Sequence, residues 1–364
     1  MSLARVESMT IEERQLKTHE GDGAQLNRIG DRPTWQQRLR THIVSRGIQV
    51  MCGSADVDST NVATDIPLMR AAARLAWLKA LRAVGVKSFV TTSGLGHHFV
   101  CHTDDLANFP FYHRRAYQAE LELCAAWLQE EDRPVVYDVG ANGGFFSTQL
   151  AQMLAHRTPI IYAFEPVPTT FAKLVQSVQR LGLNDSIVPV PAAVVDNPGL
   201  VYMSYSERNS LFAQVTQRDL ILRAGNKRAQ ADGVTLDGFY ASVGALPRLV
   251  KIDAEGYEVS VLRGAEALLS RPDRPAILFE CNPNALAECG ASVSTLLNLL
   301  LGYTVHYVND FYGQKLPFGS LIQDFEKIDW GCNLFAVPLA ENSARRWAIL
   351  SQYSAQPGAG GIRR

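Results

Sequence analysis

The chain has 364 residues, enough for one large domain or for a domain with a smaller appendage. Its 35 lysines and arginines balance 36 aspartates and glutamates for a net charge of −1, and the basic residues are scattered, which argues against a nucleic-acid partner. No uninterrupted apolar stretch is long enough to span a membrane. The mixed-charge start lacks the apolar centre of a secretion signal. The six cysteines (Cys52, Cys101, Cys124, Cys281, Cys289, Cys332) form no CxxC pair, so reduced thiols and a cytoplasmic setting are expected.

Residues 1–33 are polar and aperiodic and read as a disordered leader. Residues 34–109 then read as an extension of helices and a hairpin. "WQQRLRTHIVSRGIQVM" and "IPLMRAAARLAWLKALRAVGV" carry apolar residues at helical spacing. "KSFVTTSGLGHHFVCHT" is two β-rich runs around Gly94 and Gly96, the pattern of a hairpin. His98 and His102 fall on one face of its second run, where a metal clip and an ordinary edge hairpin are both open readings. "FPFYHRR" (109–115) could supply aromatic and basic groups to a pocket, or simply start a helix. "YHRRAYQAELELCAAWLQ" predicts a helix with Leu121, Cys124, Ala125 and Leu128 on one face.

From residue 134 short apolar runs alternate with helical stretches. The runs are "PVVYDVG", "PIIYAFEP", "SIVPVPAAVV", "RLVKIDAE", "PAILFECN", "YTVHYV" and "CNLFAVP"; the helices fall at 144–155, 168–182, 257–269 and 291–302. Continuous apolar strands separated by helices predict an α/β fold with a doubly wound, mostly parallel sheet covered on both faces. The last two of the seven strands, joined without an evident helix, predict an antiparallel edge. Residues 341–364 read as a C-terminal helix and a flexible tail.

"VVYDVGANGGFFS" is the most informative stretch. A strand ends in Asp138, Gly140, Asn142, Gly143 and Gly144 form a tight turn, and a helix begins. Glycines there let a ligand approach the backbone at the carboxyl ends of the strands. The spacing is not GxGxxG, and an acid two positions before the first glycine would repel a pyrophosphate. Glu165, ending the next strand, falls where an acid takes ribose hydroxyls. Asp138 with Glu165 therefore suggests a cationic nucleoside without phosphates, which S-adenosylmethionine satisfies better than NAD. An NAD-dependent oxidoreductase and a non-catalytic scaffold that retains the cofactor site are the alternatives.

"YDVGANGGFFS", "YAFEPVPTTF", "VTLDGF", "LVKIDAEGYEVSVLRGAEALL" and "ILFECNP" occur in the order seen in the FkbM family of S-adenosylmethionine-dependent methyltransferases, which the chain resembles over residues 110–340. The resemblance implies a class I methyltransferase (Rossmann-like) fold and methyl transfer, usually to a hydroxyl of a sugar or natural product such as a polyketide or glycoside. It implies that Asp138, Gly140, Asn142 and Gly144 line the methionine end of the cofactor and that Glu165 holds the ribose. Phe145 and Pro166, beside those two turns, join the set. Ala193 to Asp196 would lie near the adenine, and Asn209 and Ser210 match a position where the family commonly has serine.

Methyl transfer to an alcohol needs an aligned acceptor and a group that removes its proton. Asp253 and Glu255 close the fourth run, and strand alternation would point them the same way. Glu280 and Asn282 share a parity at the end of the fifth. Asp253, Glu255 and Glu280 are the candidate catalytic residues, with Asp253 also beside the cofactor. A metal set of Asp253, Glu280 and Asn282 would suit Mg²⁺. Competing readings make Asp253 a helix cap, Glu258 a first-turn acid favoured by the helix dipole, Lys251 a snorkelling or paired cation and His306 a satisfied core histidine. The expected partner is a small-molecule acceptor, with no nucleic acid or membrane, and the N-terminal extension serves either as a lid or in a homodimer.

Overall fold

The structure is a computed structural model and describes residues 68–105, 117–206, 209–216, 226–310, 316–323 and 328–353. The expected leader, the first predicted helix, "FPFYHRR" and the tail beyond residue 353 lie outside the described residues.

The chain's apolar runs become a seven-stranded sheet in the order β5-β4-β3-β10-β11-β13-β12. Its strands are β3 (Val135–Val139), β4 (Ile160–Phe164), β5 (Ile187–Val190), β10 (Leu249–Ile252), β11 (Ala276–Cys281), β12 (Tyr303–Asp310) and β13 (Cys332–Pro338). The first five are mutually parallel, and β13 runs antiparallel to both β11 and β12. The predicted doubly wound sheet with an antiparallel last strand is therefore what forms, but that strand is not the expected edge: β13 lies between β11 and β12, and β12 takes the edge. Strand order reverses between β3 and β10, the place where open α/β sheets bind their ligands.

Both faces of the sheet are covered because the strands are apolar on both. Tyr137, Phe164, Ile252 and Phe279 face one core, closed by α6 (Glu258–Arg263), α7 (Glu266–Leu269) and α9 (Val293–Asn298). Val136, Ile161, Leu278 and Phe335 face the other, closed by α2 (Gln118–Leu128), α3 (Phe145–Met153), α4 (Pro168–Leu181) and α10 (Glu341–Tyr353). On α2 the predicted inner residues Leu121, Cys124 and Leu128 are fully buried, whereas Ala125 is half-buried. Proline opens α4 at its first turn and Gly182, at φ 67°, ends it, each where its backbone preference fits.

The run "SIVPVPAAVV" (186–195) does not form one strand. β5 stops at Val190, whose carbonyl still accepts from the Glu165 N–H at 3.1 Å, and after Pro191 the chain passes as β6 (Ala192–Val194) into a second sheet. That sheet has the order β6-β9-β7-β8, from β7 (Gly199–Ser206), β8 (Asn209–Thr216) and β9 (Lys227–Val234). Its own small core holds Val167, Met203, Tyr205 and Ala231. Two short helices, α5 (Leu236–Val243) and α8 (Pro283–Glu288), also have no counterpart in the expected elements.

Helix α1 (Leu68–Ala83) precedes the predicted hairpin, β1 (Ser88–Thr92) and β2 (His98–His102), which is antiparallel in register. The hairpin lies on α3 and α4. Gln149 donates to the His98 carbonyl at 2.8 Å and accepts from Ser93 Oγ at 2.6 Å, and Gln152 bonds both the N–H and the carbonyl of His98. Among the described residues no helix is long and apolar enough to cross a membrane.

Candidate functional site

The turn after β3 is shaped by close approach. Gly140 has φ 75°, and a Cβ there would sit 1.9 Å from the Asp253 carbonyl oxygen, so a glycine is required where the turns after β3 and β10 cross. Asn142 adopts φ 51°, and its N–H donates to Glu165 Oε2 at 3.1 Å while Val167 N–H donates to Oε1 at 2.8 Å. Burial raises the Glu165 carboxyl, these two bonds oppose the rise, and the net is about 7. Together with the strands' carboxyl ends these turns wall a cavity of about 420 Å³, in the range of small-molecule sites.

The site residues expected from sequence divide into those on the wall and those behind it. Gly140, Asn142, Phe145, Glu165, Pro166, Ala193, Asp253, Glu255, Glu280 and Asn282 line the cavity. Asp138 does not line it. It is fully buried, 3.1 Å from Lys251 Nζ and bonded by Ser147 Oγ at 2.6 Å. The register explains this, since Lys251 of β10 pairs directly with Asp138 of β3. Gly144 is also off the wall: its φ is 85°, and a Cβ would meet Leu174 Cδ1 at 2.6 Å, so it serves the packing of α3 on α4. Ser210 and Asn209 fall in β8, where their side chains lie outside the described part.

Lys251 is paired, as one of the two sequence readings had it. Its buried ammonium meets Asp138, the Gly140 carbonyl at 2.9 Å, the Val139 carbonyl at 3.3 Å and Asp253 Oδ2 at 3.6 Å. Burial lowers its pKa, but Asp138 and Asp253 outweigh that and raise it.

Asp253, Glu255 and Glu280 converge, with a carboxylate oxygen from each within 4.8 Å of the others. The cause is not strand alternation, because β10 ends at Ile252. Instead Glu255 takes φ 51° and Gly256 φ 101°, folding the segment back over the strand end. Glu258 braces that fold: its buried Oε1 accepts the N–H groups of Ala254 at 3.0 Å and Gly256 at 3.2 Å. It stands in the first turn of α6, as expected from sequence, and anchors this turn as well. Burial, and then the charge of Asp253, push Glu255 up to about 8 and Glu280 well above the usual carboxylate range.

The metal set expected from sequence changes membership. The Asn282 Oδ1 caps α8, accepting from Asn284 N–H at 3.2 Å and Ala285 N–H at 3.3 Å, whereas Glu255 stands with Asp253 and Glu280. Among the described residues this trio is the one group of three histidine, cysteine, aspartate or glutamate side chains close enough to share a cation, and no such group includes His98 or His102. His98 is exposed and His102 buried. His306 is satisfied by the Gly319 carbonyl and Thr304 and lies against Trp347.

Two further parts of the wall had no assigned role. Tyr117, at φ 55° just before α2, lines the acid end and packs on Phe145, whose other side meets Phe99 of the hairpin at 5.2 Å. Burial, followed by Asp253 and Glu280, pushes its phenol well above the ordinary range. Beyond Gly143 lie His102, Asp105, Lys173 and Ser177. Opposite, Ala192, Ala193, Val194, Met203, Ala213 and Val215 make an apolar side from the second sheet.

Residues 138–307 match the methyltransferase FkbM domain. Among solved structures, the methyltransferase FkbM from Methylobacillus flagellatus KT is similar at 16% identity and TM-score 0.36, over 56% of this chain and 43% of that one. This chain therefore spans less than half the length of that protein. A SAM-dependent methyltransferase from Agrobacterium tumefaciens is similar at 8% identity and TM-score 0.36, over 69% of each chain. TYW2 of M. jannaschii, solved in complex with AdoMet, is similar at 14% identity and TM-score 0.34, over 69% of this chain and 85% of that one. No curated protein matches. With the sheet order and the glycine turn in agreement, residues 138–307 of this chain are a methyltransferase FkbM domain.

Proposed function

We propose that this methyltransferase uses S-adenosylmethionine to methylate a hydroxyl of a sugar-like or natural-product acceptor, with Asp253, Glu255 and Glu280 handling the acceptor's proton. The cavity's chemistry fits the cofactor. Gly140 leaves room where a Cβ would close the crossing of the two turns, Glu165 stands on the wall for the ribose hydroxyls, and the apolar side around Ala193 suits the adenine. When bound, the cofactor supplies an electrophilic methyl group on a sulfonium. The chain's part is to align the acceptor oxygen and to take its proton on a carboxylate oxygen of the trio.

The observation that carries this reading is the convergence of the three carboxylates on one cavity wall. A carboxylate whose pKa lies near 8 is a stronger base than an ordinary one once ionised, and it sits close to working pH. The same trio supports a second role, holding Mg²⁺ through hard oxygen ligands. The test is transfer of a labelled methyl from S-adenosylmethionine to a panel of methyl glycosides and macrolides, with and without EDTA. Label recovered as a methyl ether supports the reading, and label found only on nitrogen, or on no acceptor, overturns it. Loss of transfer in EDTA, restored by Mg²⁺, assigns the second role.

A further inference from the structure

We propose that Tyr117 selects the acceptor, its phenol donating a hydrogen bond to a hydroxyl next to the one that is methylated. The proposal rests on the reading that the carboxylate trio takes the proton of the reacting hydroxyl. It assigns a role to a residue that lies outside the matched domain, residues 138–307.

A strut from the far side of the sheet brings Tyr117 to the acids. Glu120, buried in the first turn of α2, accepts from Asn333 Nδ2 at 2.7 Å through its Oε1. Asn333 stands at the start of β13 and pairs in register with Glu280 at the end of β11. The first turn of α2 is thereby held at the strand end that carries Glu280, and Tyr117 caps that turn. Strand order sets β10 and β11, which carry the trio, between β3 and β13. The anchor of Tyr117 is thus across the trio from the turns after β3 and β4, where the cofactor is read to lie.

The side chain of Tyr117 makes no capping bond to α2, and its backbone sits at φ 55°. An aromatic residue rarely takes that conformation, and it persists only where the surroundings over-determine it. The ring packs on Phe145 at 6.1 Å between centroids, and Phe145 meets Phe99 edge-on, all three on the cavity wall. They give the carbon skeleton of an acceptor an apolar face beside the carboxylates, the mix of many apolar and few polar groups that orients a small molecule.

An ionised carboxylate only accepts hydrogen bonds, so each acid of the trio loses its power to donate once it is ready to act as a base. The phenol keeps its proton, because burial and then the charges of Asp253 and Glu280 hold it well above the ordinary range. A hydroxyl beside the reacting one can accept from this phenol while donating its own proton to the trio. A site built to bond a substrate hydroxyl discriminates against the analogue that lacks it, since its polar group is then left unpaired.

Transfer of a labelled methyl from S-adenosylmethionine tests this on the full chain. The acceptors are methyl glycosides, with the two deoxy forms of the best one that lack the hydroxyl on either side of the methylated position. For wild type, kcat/KM should fall about tenfold or more with at least one deoxy form. Tyr117→Phe, which removes only the phenol oxygen, should lose about tenfold on the parent glycoside. It should lose nothing further on that deoxy form, the non-additivity of two groups in contact. Its affinity for S-adenosylhomocysteine, read by calorimetry, should be unchanged. A wild type indifferent to both deoxy forms, full activity in Tyr117→Phe, equal losses on parent and deoxy glycoside, or weakened S-adenosylhomocysteine binding overturns the assignment. A wild type that methylates no glycoside on oxygen overturns the sugar reading of the acceptor, and this assignment with it.

Discussion

The turn after β3 and the turn after β10 are built by one device and present opposite chemistry. Each has a glycine at positive φ, Gly140 and Gly256, and a non-glycine residue held at φ 51°, Asn142 and Glu255. Each is braced by a buried glutamate that accepts two backbone N–H groups, Glu165 in the first and Glu258 in the second. The strained residue is an amide in the first turn and a carboxylate in the second. Backbone strain persists where the surroundings over-determine it, and it gathers at functional sites. What differs is what the strain presents: a neutral cradle on one side, and a third acid beside Asp253 and Glu280 on the other. Under the proposed function, the first turn holds the cofactor and the second carries the reaction.

The sharpest way to break this division is Asp253→Asn. Turnover of the acceptor found by the labelling screen should fall about 10²–10⁴-fold, the range for a lost proton-transfer group, while affinity for S-adenosylmethionine stays within a few-fold. Full activity in that variant would show that the second turn is not the reactive one. Glu165→Ala attacks the first turn. It should weaken cofactor binding by about tenfold or more, as loss of a charged hydrogen-bond partner does, and calorimetry reads it directly. Unchanged affinity would remove Glu165 from the cradle.

A smaller effect separates the two turns by charge. Glu255 is protonated below about 8, so affinity for the sulfonium cofactor should rise several-fold between pH 6.5 and pH 8.5 as the trio ionises. S-adenosylhomocysteine, which lacks the sulfonium, should show a flatter profile, and Glu255→Gln should flatten the first. Equal pH profiles for the two ligands would argue that the trio does not face the sulfur. The smallest effect is on stability. Glu165 and Glu258 are raised to about 7 and Glu255 to about 8, so between the ordinary carboxylate range and those values the folded state binds more protons than the unfolded. Stability contributed by the neutral forms is present at low pH and is lost as pH rises through 7 to 8. The melting temperature should therefore be higher at pH 6 than at pH 8.5. A rise with pH over that window would mean the acids are ionised in the fold.

Much of this was legible one residue at a time. The apolar runs from residue 134 predict the strands because strands buried on both faces must be apolar throughout. Glycines after Asp138, and acids after apolar ends such as "IIYAFE" and "LVKIDAE", mark the ligand side because buried charge without a purpose is costly. What failed did so for reasons of register and crossing. Asp138 looks like a ligand contact until β10 is laid beside β3 and Lys251 falls opposite it. Asn282 looks like a metal ligand until α8 is seen to begin at the next residue and take its oxygen.

The sequence alone thus determined the sheet, its antiparallel last strand, the glycine turn and the identity of the three acids, since each depends on local periodicity or on residues adjacent in the chain. Tertiary structure decided the rest: that Asp138 is spent on Lys251, that Glu255 joins the acids through a left-handed turn rather than strand parity, and that Tyr117 and the hairpin's His102 reach the same cavity. Those facts depend on which strands lie side by side and where turns cross, and short-range patterns carry no record of either.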